Sequence, residues 1–201
     1  YQSDLQLMDE FTSDATEKMK IAIDTDILGA IYSQAASTNA GLTAGLKSSS
    51  YNLGTTASPV SVTKANVIDV ITRYHSVLSE ANVPLSGRWI VLPAWMTNRI
   101  LNSDLKDASL SGDSTSIARN GRIGTIAGMT VYESNNLPIS SSYTHIIAGH
   151  KQAIAFASQI TKVENLRNPN DFGDLVRGLN VYGYKVVNSD GLVHGVVAAG
   201  T

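Results

Sequence analysis

Residues 7–36 read LMDEFTSDATEKMKIAIDTDILGAIYSQAA. The stretch holds no proline and a single glycine, Gly29, and apolar side chains recur at Leu7, Phe11, Ala15, Met19, Ile23, Ile27 and Ile31. That spacing predicts one apolar stripe along an α-helix. A strict four-residue step overshoots the 3.6-residue turn by about 40° each time, so the stripe winds around the rod. Met8, Ala22 and Ala30 broaden it. About 28 residues at 1.5 Å each make a rod of roughly 42 Å, more than twice the usual globular length. One long side is expected to be buried. The other side carries Asp9, Glu10, Asp14, Glu17, Asp24 and Asp26 against Lys18 and Lys20. It reads as a solvated acidic face, with Asp14 and Lys18 as an i,i+4 pair.

The chain around this rod has 201 residues, enough to bury roughly 70% of its unfolded surface. With 43% apolar and 16% charged residues it is built for large buried surfaces rather than disorder. The absence of cysteine excludes disulfides, thiolate nucleophiles and cysteine-held metal clusters, and suits a reducing compartment. A formal net charge of −2 gives no polyanion-binding field. Apolar runs fall short of the roughly 18 residues needed to span a bilayer, and no basic-then-apolar leader precedes the body, so a soluble protein is expected. The first residue is Tyr1, so the chain is expected to be a piece of a longer product.

Downstream, residues 37–62 are rich in Ser, Thr, Asn, Ala and Gly and predict a linker or extended loop. A second helix is expected from about Thr63 as N-cap, with Val67, Ile68, Ile71, Tyr74, Leu78 and Ala81 on one side, closed by Pro84 and Gly87. Arg88 to Leu92 reads as a buried strand feeding a third helix from Pro93 to about Leu101. Residues 102–121 are polar and without period, a loop of a length that is usually functional. Strands are expected at Arg122 to Ile126, Met129 to Glu133 and Thr144 to Ala148, and a short helix at His150 to Ser158. Runs near Leu179 to Val187 and Leu192 to Ala198 flank Asp190-Gly191 and predict a terminal hairpin. The class is α+β.

No catalytic, cofactor or metal site is expected. Of the four histidines, His75, His145, His150 and His194, the pair His145 and His150 lacks the one-turn spacing of helical metal ligands. Ser111-Gly112-Asp113-Ser114 lies in a polar loop and no Gly-x-Ser-x-Gly elbow exists. Gly121-Arg122-Ile123-Gly124 is followed by no Gly-Lys-Ser/Thr and forms no phosphate loop. Trp89 and Trp95 have apolar neighbours and read as core anchors, while Asp104 and Asp107 read as solubilising. The remaining features, an overlong helix and a large apolar fraction, fit a body completed by its neighbours.

Residues 121–138, GRIGTIAGMTVYESNNLP, resemble a segment common in major capsid proteins of tailed bacteriophages, where a glycine pair precedes a strand and a Ser-Asn-Asn-Leu-Pro turn. Arg88 to Pro93 followed by a helix, and Val181 to Val187 continuing to His194-Gly195-Val196, are similar to that family in the same order. The resemblance implies the Hong Kong 97-type capsid fold: a long spine helix, a mixed α/β axial domain and a peripheral β-hairpin. Residues 1–62 would be the spine helix, Met8 to Ala36, and its linker. Residues 63–176 would be the axial domain, with 102–121 near the capsomer axis, and 177–201 the returning peripheral strands. Phe11, Ala15, Met19, Ile23, Ile27 and Ile31 would be the structural stripe of the spine.

By that resemblance the chain lacks the family's N-terminal arm and part of the extended loop, and no crosslinking residue carries over. The implied function is structural. Copies assemble as pentamers and hexamers into an icosahedral shell that encloses double-stranded DNA without sequence-specific binding. Scaffolding and portal proteins are the implied partners, with no cofactor and no membrane. The location would be the virion, after assembly in the host bacterial cytoplasm. An encapsulin-like nanocompartment shell and, from a different class, a small Ser/His hydrolase using His145 or His150 are the alternatives.

Overall fold

A computed structural model of the chain describes residues 5–103, 122–167 and 174–200. Helix α1 (Leu5–Ile31) is the long rod that the periodicity predicts. It stops five residues before Ala36. The Ser33 hydroxyl and the Gln34 side-chain amide both donate to the Ala30 carbonyl at 3.0 and 3.4 Å, and Tyr32–Gln34 tightens into a 3-10 turn. The Ala36 N–H then donates to Ser189 O at 3.2 Å, which draws the chain off the helix axis.

The region after it is largely irregular, as its composition predicts, and is pinned by isolated bridges such as Ala40 to His194 and Ala44 to Tyr51. It ends in β1 (Val60–Val62). Helix α2 (Val67–Glu80) starts four residues after Thr63, because the Asn66 side chain turns back to accept the Thr63 N–H at 2.7 Å. Strand β2 (Arg88–Leu92) runs through Pro93 into α3 (Ala94–Leu101) as expected.

Strands β3 (Arg122–Ile126) and β4 (Met129–Glu133) form a tight hairpin. Its two turn residues, Ala127 and Gly128, have φ of 50° and 74°, the left-handed pair that matches strand twist. Strands β5 (Ile139–Ser140) and β6 (Tyr143–His150) follow. The main sheet runs β1-β9-β6-β2-β4-β3, where β9 is Leu192–Ala199 and β5 pairs with β6.

Both faces of this sheet are covered, which explains why β6 is buried at almost every position. One face carries Ile90, Leu92, Met129, Val131, Ile146, Ala148, Val193 and Val197 against Val70, Ile71, Tyr74, Val77 and Leu78 of α2 and Met96 and Ile100 of α3. The opposite face meets the end of α1 through Ile31, Leu137 and Ile147.

Two expectations are corrected. Residues 150–158 form no helix: His150 closes β6, and Ile154–Arg167 is strand β7, paired antiparallel with β8 (Asp174–Val186). The runs on either side of Asp190-Gly191 do not pair with each other. A 3-10 turn at Ser189–Gly191 carries the chain from the β7–β8 ribbon into the main sheet, where β9 lies between β1 and β6. The hairpin is therefore β7–β8. Of the expected polar loop, residues 104–121 lie outside the described residues.

Candidate functional site

The spine stripe is covered in a gradient along α1. Ile31 is 2% exposed among Leu137 and Ile147. Ile27 packs on the same cluster beside Leu28, Tyr32, Trp89, Val91, Ile154, Tyr184 and Val186. Ile23 is half-buried, Met19 is 39% exposed and Ala15 is exposed. The Phe11 side chain lies outside the described residues. Thus the C-terminal third of the rod is anchored in this chain, while Ala15 and Met19 above it are exposed.

The anchoring is completed from β8. Alternation puts Tyr182 and Tyr184 on the side turned to α1, and the Tyr182 hydroxyl donates to Asp26 Oδ2 at 2.9 Å. That hydrogen bond, with desolvation and the Asp26 charge, holds the Tyr182 phenol above its ordinary range. Desolvation and the same carboxylate raise Tyr184. On the opposite side of β8, Leu179 and Val181 are 56% and 54% exposed.

Beneath the end of α1 lies a group that spacing in the sequence does not reveal. His145 of β6 and His194 of β9 are 49 positions apart. Their rings stack at 5.2 Å with a 7° interplanar angle, and His145 Nδ1 sits 2.9 Å from His194 Nε2. Ser140 Oγ lies 2.9 Å from His145 Nε2. Tyr32 closes over both rings, with centroids at 4.7 and 5.1 Å. Burial, reinforced by the neighbouring imidazole, pushes His194 down to about 4, and burial lowers His145. The hydrogen bond needs an acceptor nitrogen on one of the two rings, and burial of the pair favours the neutral form of each. Even-odd pairing is the only trace of this cluster in the sequence: each histidine falls on the strand face that meets α1.

The other chemistry-bearing residues are dispersed. His150 accompanies Ser86 O at 2.9 Å. His75 lies beside the buried Arg88 guanidinium, with Nδ1 and Nη1 3.1 Å apart. Trp95 is half-buried against the main core and carries the Arg99 guanidinium 5.2 Å above its ring. Among the described residues no three His, Asp or Glu side chains gather as a metal site, and no helix is long and apolar enough to cross a membrane. The Ser111–Ser114 run, Asp104, Asp107 and Gly121 lie outside the described residues. The arrangement joins a rod and a ribbon to a sheet, and among the described residues Met19 and Ile21 of the rod and Leu179 and Val181 of the ribbon stay exposed.

Comparison with known proteins agrees with that geometry. No curated protein matches the chain. A structure from Mycobacterium phage Che8 is similar with a TM-score of 0.66 and 30% identity, over 92% of this chain and 61% of that one. The capsid structure of the cyanophage P-SCSP1u is similar in fold, with a TM-score of 0.58 at 14% identity over 100% of this chain and 68% of that one. So is the holo-SrpI encapsulin complex from Synechococcus elongatus PCC 7942, with a TM-score of 0.57 at 11% identity over 98% and 67%. This chain thus spans about three fifths of the Che8 chain. The fold is of the Hong Kong 97 capsid type. A family model described as phage capsid protein matches residues 1–195, and with the spine helix, ribbon and mixed sheet in place the chain belongs to the phage capsid protein family.

Proposed function

We propose that the chain is the shell-forming body of a major capsid protein, whose copies join as pentamers and hexamers into an icosahedral shell around double-stranded DNA. The observation that carries this reading is the family match over residues 1–195, on a fold in which Met19 of the spine and Leu179 and Val181 of the ribbon are exposed. In a closed lattice each modest contact is repeated, so removing one subunit requires several contacts to break together. A net charge of −2 suits a wall that confines DNA without gripping phosphates. On this reading the chain is not an enzyme. Its location is the virion, its assembly takes place in the bacterial cytoplasm, and scaffolding and portal proteins meet its free edges.

The same reading assigns α1 and the β7–β8 ribbon to the peripheral layer, and the main sheet with α2 and α3 to the axial body. β8 pairs with β7, and β9 with β1 and β6, so on this reading the peripheral layer takes in the whole ribbon. The test is sedimentation and negative-stain microscopy of the purified chain over a range of concentrations. Rings of five or six copies, or closed particles, are expected. A monomer up to the solubility limit overturns the reading.

A further inference from the structure

Three serines, Ser140, Ser141 and Ser142, follow one another where β5 turns into β6. Ser140 pairs with Tyr143 across the two-residue turn, and Ser141 and Ser142 at its tip are exposed. Ser140 is the one set against an imidazole, with Oγ 2.9 Å from His145 Nε2. On the far side of the same ring, Nδ1 lies 2.9 Å from His194 Nε2. A hydroxyl at one ring nitrogen and a hydrogen-bond partner at the other is the relation in which a histidine serves as base to a serine while a third group fixes its tautomer.

The surroundings suit that relation. His145 is 4% exposed and Tyr32 lies over both rings, so the base is shielded from water. Ser140 itself is half-buried beside the exposed turn, where a small molecule can reach it. Burial lowers His145 and so favours its neutral form, the one with a lone pair free to take a proton.

We propose that Ser140 is a nucleophilic hydroxyl that accepts acyl groups from small activated esters, with His145 as its base and His194 positioning that base. The proton between the rings is assigned to His145 Nδ1, which donates to His194 Nε2 and leaves His145 Nε2 to accept from the serine. In the step, Ser140 Oγ bonds to the ester carbonyl carbon and its proton passes to His145 Nε2. The bond from that carbon to the leaving oxygen breaks with its electron pair on the oxygen, and His145 returns the proton to that oxygen or to water. The product is an acylated side chain, a modification of the chain that calls for no turnover and does not depend on the shell-forming reading.

The test treats the full chain with p-nitrophenyl acetate and follows acetylation of each serine by peptide mass spectrometry. Ser141 and Ser142 are internal controls of the same chemistry. Ser140 is expected to react about 100-fold faster than either, the lower end of what a positioned base supplies. Its rate is expected to rise as His145 loses its proton below pH 6.5 and to stay level from about pH 7 to 8.5. His145→Gln is expected to bring Ser140 down to the level of its neighbours. His194→Ala is expected to slow it about tenfold, and His194→Gln, whose side-chain oxygen can still accept from Nδ1, to recover most of the rate. Circular dichroism checks the folding of each variant, and the wild-type comparison decides even where a variant does not fold. Ser140 reacting no faster than Ser141 and Ser142, or at a rate that climbs tenfold per pH unit from pH 7 to 8.5, overturns the proposal. An undiminished rate in folded His145→Gln overturns it as well, and an undiminished rate in folded His194→Ala overturns the positioning role.

Discussion

Tyr182 on β8 donates its phenolic hydrogen to Asp26 on α1 across 2.9 Å, tying together residues 156 positions apart. The bond holds the ribbon along the lower end of the spine, next to the cluster around Ile31. A phenol that donates to a carboxylate loses that bond on ionisation, so its pKa lies above the ordinary value. The stabilisation is present below the unfolded pKa near 10 and is lost as pH rises through the folded value. Tyr182→Phe is expected to remove one late phenol from a spectrophotometric titration and to speed hydrogen exchange at the C-terminal end of α1. Asp26→Asn is expected to move the Tyr182 and Tyr184 titrations back toward pH 10. An unchanged titration in both variants would show that the bond does not form in solution.

The stacked imidazoles make the joint acid-sensitive. His194 is pushed from 6.5 to about 4 in the folded chain and His145 is lowered too. Between those values the unfolded chain binds more protons than the folded one. Stability contributed by the neutral pair is therefore complete above pH 6.5 and declines as pH falls toward 4, by roughly 2 to 3 kcal/mol. The groups facing the pair are Tyr32 from the turn after α1 and Ser140 from β5. Urea melts between pH 7 and 4 are expected to show this slope in the wild type and a shallower one in His194→Asn. Equal slopes would place the acid sensitivity elsewhere.

Arg88 is 2% exposed and its donors meet carbonyls, a hydroxyl and the His75 ring rather than a carboxylate. Nε donates to Pro84 O, Nη1 to His75 O and Ser79 Oγ, and Nη2 to Val83 O at 2.6 Å. These acceptors surround the C-terminal end of α2, where the helix dipole favours a cation. Arg88→Met leaves several acceptors without donors and is expected to cost about 3 kcal/mol or more in a denaturant melt. Arg88→Lys is expected to recover little, because one ammonium cannot reproduce the planar fork. Burial and then the Arg88 charge hold His75 below 6.5, so the His75 ring is expected to titrate higher in Arg88→Met by nuclear magnetic resonance.

The covering gradient along the spine separates folding from assembly. Ile31→Ala opens a cavity at a site that is 2% exposed and is expected to cost about 2 to 4 kcal/mol of thermal or denaturant stability. Met19→Ala, at a site 39% exposed, is expected to leave the melt of the single chain nearly unchanged while lowering particle yield. Ile23→Asp or Ile27→Asp is expected to abolish normal particles in negative-stain micrographs, by placing a charge on the stripe. Normal particles from either aspartate variant would mean that the stripe braces nothing.

The elements defined by short-range pattern were legible in the chain itself. The 3.6-residue recurrence from Leu7 to Ile31, the β-branched run at Arg88 to Leu92 before Pro93, and the Ala127-Gly128 step between two strands each state their structure within a few residues. Local propensity misled at 150–158, where alanines among polar residues suit a helix. The cross-strand pairing of Ile154 with Val186 and Phe156 with Tyr184 prevailed there. The Asp190-Gly191 step was a sound turn signal joined to the wrong partner, because which strands pair depends on the register of the whole sheet.

The spine histidine cluster and the exposure of Leu179 and Val181 belong to tertiary structure alone. His145 and His194 meet only because β6 and β9 pair antiparallel with Ile147 opposite His194, and Leu179 and Val181 are exposed only because α1 lies on the other side of β8. Periodicity within a segment determines which residues share a face. The packing of segments far apart in the chain decides what each face touches, because the contact energies that select it are summed over the folded body rather than over neighbours in sequence.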